Sequence, residues 1–427
     1  MTEQLEKLGR KITLALLVSQ SLFSASRIMT FTVASIIALQ LANDNSQWSG
    51  VPSTLGQIGV ALTAYPMGRL MDRAGRRRGL TVGYLVGIGG AIIAGVAVIQ
   101  QSLVGFLIGV FFMGMTKSGM DLSRYAAAEA NLPLKRARAI SWVILGGTTG
   151  SILGPTLIRL ATEGATRLNL AELSGPWFAS ALLMLLSVTV LNLFLRPDPQ
   201  EIARQIEDML ETEASQPGRS DHRPAIQESA RSVAEIFSRP AMQLALAAMI
   251  VGQVVMVMIM TITPVHMHQH QQHLSAISLV IMAHSFGMFG LSFMTGWLID
   301  KFGRVNMIVG GGLILVMAGL ISPASTEPVW LATGLFLLGL GWNFCYVTGS
   351  ALLADNLQQA EKGRIQGLSD TAISATSALA SLSSGLVFAS VGFITMNLLS
   401  LAVAIIPIGL VLYYRAGRPA RPIEEAV

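Results

Sequence analysis

Long runs of apolar residues, separated by short polar segments, recur along the whole chain. A helix of about 20 apolar residues can cross the hydrocarbon core of a membrane, because each residue adds about 1.5 Å to its length. The pattern predicts twelve such helices, and the chain is therefore predicted to be an all-α integral membrane protein. The helices lie near residues 11–41, 49–71, 79–99, 102–129, 139–162, 176–196, 240–263, 275–299, 304–322, 328–354, 365–388 and 391–414.

One long polar segment, residues 197–239, divides the twelve helices into two sets of six. We predict an N-terminal six-helix bundle over residues 1–196 and a C-terminal one over residues 240–414. The segment between them is predicted to be a cytoplasmic linker with a short helix near 199–212, and residues 415–427 a cytoplasmic tail.

The amino-acid composition, rich in apolar and poor in charged residues, also indicates a membrane protein. The chain is 52% hydrophobic and only 12% charged, whereas soluble domains carry roughly 25% charged residues. The single cysteine, Cys345, excludes a disulfide within one chain.

Basic residues are concentrated at one side of the predicted membrane. They follow helices 2, 4, 8 and 10, at Arg73, Arg76, Arg77, Arg78, Lys135, Arg136, Arg138, Lys301, Arg304, Lys362 and Arg364. Since loops rich in Lys and Arg stay in the cytoplasm, both termini are predicted to be cytoplasmic. This distribution accounts for the net charge of +5, and we find no signal for nucleic-acid binding.

The two halves repeat a charged motif. The segment GRLMDRAGRRR (68–78) ends helix 2, and GWLIDKFGRVN (296–306) ends helix 8, so Asp72 corresponds to Asp300. Further along each half, Glu129 corresponds to Asp355. Parallel repeats of six helices are typical of transporters, and the repeat predicts two pseudo-symmetric bundles.

With this motif the chain resembles the major facilitator superfamily over essentially its whole length. The resemblance implies alternating access, a monomer, and a gate at the cytoplasmic side. Asp72 and Glu129 would pair with Arg73 and Arg76 in the outward-open state and separate in the inward-open one, because a few charge-assisted bonds form a bistable latch. Alternatively, these residues only set the topology.

Helix 5 contains glycines at every fourth position, Gly146, Gly150 and Gly154 in GGTTGSILGP (146–155). Small residues at this spacing allow helix backbones to approach closely. The pattern also resembles one common in proton-driven antiporters of the superfamily, but Ile158 and Arg159 replace the usual later glycines. Close packing is the interpretation we favour.

Ionisable residues occur within the predicted helices 1 and 4, at Arg27, Lys117, Asp121 and Arg124. Such residues are rare in membranes and pair with each other or mark a transport path. Three interpretations stay open: a stabilising network, a proton site that titrates at Asp121, and an anion site. Asp370 in helix 11 is a second candidate proton carrier.

Helices 7 and 8 contain pairs of potential metal ligands. Met256 and Met260 are four residues apart, as are His284 and Met288. Thioethers select Cu(I), and imidazole also binds copper. A cluster predicted to lie on the loop after helix 7 could collect metal: His266, Met267, His268, His270 and His273. Alternatively, the methionines fill core space and the histidines form a polar turn.

These two pairs resemble the signature of CcoA-like copper importers, which belong to the major facilitator superfamily. The resemblance implies copper as the transported substrate across the bacterial inner membrane, with no resident cofactor. We expect Asn343, Cys345 and Tyr346 to line the same cavity.

Other functions remain open. They are a proton-coupled exporter of drugs or metabolites, an importer of a small organic anion or vitamin, and a membrane receptor or metal sensor. We do not expect an enzyme, because the chain contains no recognisable nucleophile–base pair or phosphate-cradling loop.

Overall fold

A computed structural model describes residues 2–132, 135–214, 231–357 and 359–416, and all the regular structure in these ranges is helical. The N-terminal half contains α1 (Thr2–Leu41), α2 (Val51–Ala74), α3 (Arg76–Ile99), α4 (Leu103–Asp121), α5 (Ser123–Glu129), α6 (Arg136–Arg167) and α7 (Gly175–Phe194). The linker contains α8 (Pro199–Ala214) and α9 (Val233–Phe237). The C-terminal half contains α10 (Pro240–Gln269), α11 (Leu274–Ser285), α12 (Ser292–Phe302), α13 (Arg304–Ile321), α14 (Pro328–Asp355), α15 (Gln359–Ala404) and α16 (Ile406–Ala416).

Within the described ranges, nine helices are long and apolar enough to cross a membrane. Three predicted spans account for the difference, and one of them is α2 (Val51–Ala74), which is not among the nine. A π-helical turn over Phe286–Gly290 separates α11 from α12, and one long span, Ile365–Tyr414, contains a non-helical residue at Gly392 (φ 77°, ψ 176°). The all-α membrane fold is confirmed, while the count of twelve stays a prediction.

Helix α10 extends further than its predicted end at residue 263 and finishes at Gln269. Pro264 and Met267 are both buried, so packing keeps this last turn helical. His266 and His268 therefore lie on a helix instead of the predicted loop.

Close backbone contact joins α1 to α6. A methyl group added to Gly146, Gly150 or Gly154 would overlap backbone atoms of α1. Gly150 is the tightest of these positions, because its Cβ would overlap the carbonyl oxygen of Ser21. The predicted close approach of helix 5 is confirmed.

The two halves meet at the end of the bundle that contains residues 42–50 and 266–273, here called the histidine end. The Ser381 hydroxyl donates to the Gly50 carbonyl oxygen at 3.1 Å. The Gln40 amide lies 3.2 Å from Nε2 of His268. The opposite end, here called the basic end, contains residues 72–78, 129 and 304. The halves are therefore closed against each other at the histidine end.

Both ends of the linker are attached at the basic end. The Asp198 carboxylate accepts hydrogen bonds from the backbone N–H groups of Arg76 and Arg77 at 3.2 and 3.0 Å. It thus caps the start of α3, where unsatisfied N–H groups favour an anion. On the other half, Arg231 forms hydrogen bonds of 2.8 and 2.6 Å with the buried carboxylate of Glu361.

We predict that Gly150→Leu destabilises the protein by roughly 1–3 kcal/mol, as overpacking of a tight contact does. Gly164→Leu on the same helix is the matched control, because its Cβ would meet no atom within 4 Å. Thermal unfolding of the purified variants in detergent, followed by size-exclusion chromatography, measures the difference. Equal unfolding temperatures for both variants would contradict the close contact.

We also predict that Gln40→Cys combined with His268→Cys can be crosslinked by a short thiol-reactive reagent, since the native side chains are 3.2 Å apart. The native Cys345 is buried and should not react. A protease site inserted within residues 215–230 would separate the halves on a gel unless they are crosslinked. The control pair, Lys7→Cys with His268→Cys, should stay uncrosslinked, and failure of the first pair would contradict closure at this end.

Candidate substrate cavity

A cavity of about 640 Å³, including the space at its open mouth, lies along the inner wall of the N-terminal half. Helices α1, α2 and α4 supply most of its lining, and Trp177 of α7 completes it. Two cations line it, Arg27 and Lys117, and the lining contains no carboxylate. The buried indole N–H of Trp177 has no hydrogen-bond partner in the described part of the chain. This wall is therefore rich in hydrogen-bond donors.

The charged residues of this wall are not equally paired. Lys117 forms an ion pair of 2.6 Å with Asp121, one turn along α4, and the two side chains are 33% and 47% exposed. The cavity is therefore open at this depth. Arg27 has no ion pair or hydrogen bond from its guanidinium to any described residue, and only the charge of Asp121 acts on it through space. Within the predicted network of ionisable residues, Lys117 and Asp121 are in contact, whereas Arg27 is unpaired among the described residues and lines the cavity.

Arg124 lies one turn beyond Asp121. Its guanidinium lies 5.0 Å from the centre of the Tyr125 ring, and its Nε is buried without a partner among the described residues. Asp370 of α15 is exposed, and the charges of Arg124, Asp121 and Lys117 all act on its carboxylate. This carboxylate of the C-terminal half therefore lies within electrostatic range of the charged residues of α4 and α5.

An aromatic pair on α14 lies within electrostatic range of charged residues of the opposite half. Tyr346 stacks on Trp342 with ring centres 4.8 Å apart, and the charges of Asp370, Arg124 and Asp121 act on Tyr346. The Trp342 indole N–H donates to Gln253 of α10 at 2.8 Å. The expectation that Tyr346 lines the substrate cavity stays a prediction.

Asn343 and Cys345 point elsewhere. The Asn343 amide donates to the carbonyl oxygen of Met288 at 2.6 Å and accepts from Thr295 at 2.6 Å, which secures the π-helical turn. Cys345 is fully buried against Gly252 and Gly311 of the neighbouring helices. The expectation that Cys345 lines the cavity was therefore wrong, because the small glycines draw α14 onto α10 and α13 at this residue.

The predicted metal ligands lie mostly inside the C-terminal half. Met256, Met260 and His284 are buried, with 9%, 4% and 1% of their surfaces exposed, and Met288 is half-buried. His284 Nδ1 lies 2.9 Å from the Leu335 carbonyl oxygen. Because a carbonyl only accepts, Nδ1 carries the proton, and the lone pair of Nε2 is left buried without a partner in the described residues.

The histidine cluster is spread over the histidine end. The His266 ring stacks on the Phe393 ring, with ring centres 4.0 Å apart. The ring centre of His270 lies 4.4 Å from that of His266. The Nδ1 of His270 donates a hydrogen bond of 2.8 Å to the backbone carbonyl of His266. Met267 is buried, and His273 precedes α11 as its N-cap residue. No three or more His, Cys, Asp or Glu side chains of the described residues converge on a possible metal position.

The predicted gate residues form ion pairs within each half. Arg76 donates to Glu129 at 2.6 and 2.8 Å and to Asp72 at 3.0 Å, and Arg73 is exposed. These pairs are present while the histidine end is closed. Their action as a gate stays a prediction.

The equivalent pair of the second half joins Arg304 to Asp355 at 3.0 Å. The side chain of Asp300 lies outside the described part of the structure. The repeat therefore places an ion pair at corresponding positions of both halves.

Sequence analysis did not single out Trp342, Gln253, Phe289 or Asp198. A lone amide in the apolar run of α10 and an aromatic pair four residues apart on α14 were the available signals. Asp198 gave none, because its role depends on a contact with a distant segment.

Solved transporter structures have the same overall fold. The human organic anion transporter MFSD10 superposes with a TM-score of 0.61 at 16% identity, over 94% of this chain and 99% of that one. The peptide transporter POT gives a TM-score of 0.67 at 15% identity, with 94% of each chain covered. At such low identities the likeness concerns the fold alone.

Closer sequence relatives are bacterial. Two uncharacterized MFS-type transporters of Bacillus subtilis, YdeG and YddS, are 32% and 31% identical over 95% of this chain, covering 93% and 91% of their own lengths. The riboflavin transporter RfnT of Brucella anthropi is 28% identical over 91% of this chain and 92% of its own length. The family model described as "Major Facilitator Superfamily" matches residues 16–381 and, again, residues 258–426. The chain therefore belongs to the Major Facilitator Superfamily, whose members are membrane transporters and not enzymes.

Proposed function

We propose that this protein transports a small organic anion by alternating access of its two halves, with the cavity on the wall of the N-terminal half as part of its binding site. The observation that carries the proposal is the composition of the cavity wall, which contains Arg27, Lys117 and the unpartnered indole N–H of Trp177 but no carboxylate. A cationic lining that contains no carboxylate is complementary to an anion.

Electrostatics supports an anionic cargo. A cation without a close counter-ion inside a membrane is costly, and such residues usually mark a substrate or ion path. Asp121 is already bridged to Lys117 at 2.6 Å, so Arg27 has the stronger need of an added negative charge. A bound carboxylate would form charge-assisted bonds with its planar guanidinium.

The relatives favour an organic cargo in a bacterial membrane. RfnT, a relative aligned over nearly the whole chain, is by name a transporter of riboflavin, an organic vitamin. We assign this protein to the bacterial inner membrane as a monomer, with the basic end in the cytoplasm, following the positive-inside rule. A proton taken up at Asp121 or Asp370 is our proposed coupling step, and import is the proposed direction.

Copper import is a second candidate, favoured by one observation. The buried His284 holds its Nδ1 proton on a backbone carbonyl and leaves Nε2 without a described partner, which is the arrangement of a histidine prepared for a metal. Met256 and Met260 would supply soft ligands, and the histidines at the histidine end would collect the ion.

We predict that Arg27→Gln abolishes organic-anion uptake. Proteoliposomes containing the wild type would be incubated with a mixture of small carboxylates, organic sulfonates and riboflavin, and the contents analysed by mass spectrometry. At least one anion should accumulate, and the variant should reduce its uptake at least about thirtyfold, the cost of truncating a buried charge partner.

Two further variants make this test specific. Arg27→Lys retains the charge and should recover part of the uptake. Arg159→Gln removes a cation that is 76% exposed and paired with Glu163 on α6, and it should leave uptake unchanged. Uptake that is insensitive to Arg27→Gln, or that is confined to neutral and cationic solutes, would overturn the proposed function.

The copper candidate makes a different prediction. Cells that produce the protein should accumulate radioactive copper, and the double variant Met260→Leu, His284→Ala should reduce accumulation to that of cells without the protein. Met317→Leu is the matched control, because this methionine is 51% exposed and lies on α13. Equal accumulation by the parent and the double variant would show that these residues only pack.

A further inference from the structure

Tyr346 belongs to a braced group of aromatic rings. Its ring lies nearly parallel to that of Trp342, at 4.8 Å and 17°. Trp342 is fixed by its hydrogen bond of 2.8 Å to Gln253 and by the Phe289 ring, which meets it edge-on at 6.0 Å and 75°. Only 9% of the Trp342 surface is exposed. The orientation of Tyr346 is therefore supported from behind by a residue that cannot easily turn.

Tyr346 keeps part of its surface open, whereas Asn343 and Cys345 on the same helix are buried. Two neighbours on α14 are used for packing, since Asn343 holds the α11–α12 segment and Cys345 lies against α10 and α13. Tyr346 is only half-buried, and no hydrogen bond joins its hydroxyl to a described residue. The charges that act on it include Arg124 and Asp121, which belong to the opposite half.

Such a site is suited to a flat ring. Aromatic rings attract one another when they stack with an offset, beyond the gain from buried area. A ring that is already fixed loses little conformational entropy when another ring binds to it, and preorganisation of this kind favours binding.

We infer that Tyr346, backed by Trp342, binds a planar conjugated ring, so that the transported molecule is an aromatic anion whose acidic group faces Arg27 on the opposite wall. This inference rests on the proposed organic-anion function and specifies its substrate class. It assigns the two ends of one molecule to different halves, the acid to the N-terminal half and the ring to the C-terminal half. Binding would then depend on both halves at once, as alternating access requires.

The test compares two anions of equal charge and similar size, naphthoate and its fully saturated analogue, decalin carboxylate. Their binding to the purified full-length protein in detergent is measured by calorimetry. The wild type should bind naphthoate about five- to tenfold more tightly, the range expected for ring stacking. Tyr346→Leu should remove this preference, so that naphthoate binds no more tightly than decalin carboxylate, and Tyr346→Phe should retain it.

Phe286→Leu is the matched control, because Phe286 also stacks, on Phe336 at 6.3 Å, yet belongs to no part of the proposed site. It should keep the preference for naphthoate. If both anions bind equally and both lose affinity in Arg27→Gln, the aromatic platform is overturned and the organic-anion function stands. If neither anion binds, the aromatic platform is overturned and the organic-anion function is decided by the uptake experiment; if binding occurs but ignores Arg27→Gln, the proposed function is overturned and the platform with it.

Discussion

Direct contact between helix backbones at glycine holds this molecule together. Helices in a membrane gain little from the hydrophobic effect when they associate, because lipid is as apolar as their own side chains. The contacts of Gly150 with α1, of Gly114 with Gly56 and of Gly339 with the His284 backbone leave no room for even a methyl group. The same device joins the halves, where Gly50 meets Ser381. Dispersion and short polar contacts at these points replace the missing hydrophobic driving force.

The ion pairs at the basic end lie within each half, unlike the glycine contacts, which also join the two halves. Each strong ion pair at the basic end links two segments of one half, Arg76 with Glu129 and Arg304 with Asp355. Separation of the halves at that end would break neither pair, so each half can move as one body. Arg27 lines the cavity instead, and neither Arg27 nor Asp370 has a close opposite charge among the described residues. Charges near the loops thus stabilise the two halves, and charges in the cavity are available for a cargo.

Local patterns in the chain predicted much of this. Apolar run length predicted the helical membrane fold, four-residue spacing predicted the Lys117–Asp121 pair, and repeated glycines predicted the contact of α6 with α1. The sequence did not predict the end of α10 or the cap that Asp198 provides for α3, because both depend on contacts between distant segments. Nor did the sequence reveal in which direction a side chain points across the bundle. It therefore could not show that Cys345 is fully buried while the adjacent Tyr346 is only half-buried. The metal-ligand pattern identified residues that are largely buried, but spacing could not tell a binding role from a packing role.

The π-helical turn over Phe286–Gly290 distinguishes the second half from the first, whose corresponding helix, α2, is a single element from Val51 to Ala74. A π-turn holds one more residue than an α-turn, so it has the geometry of a single-residue insertion. Each residue added to a helix rotates everything beyond it by about 100°. Deletion of one residue here would therefore turn α12 about its axis and redirect its charged end. The charged motifs of the two halves still correspond beyond this turn, since Arg304 pairs with Asp355 as Arg76 pairs with Glu129, so the π-turn changes the phase of the helix while the roles at its charged end are kept.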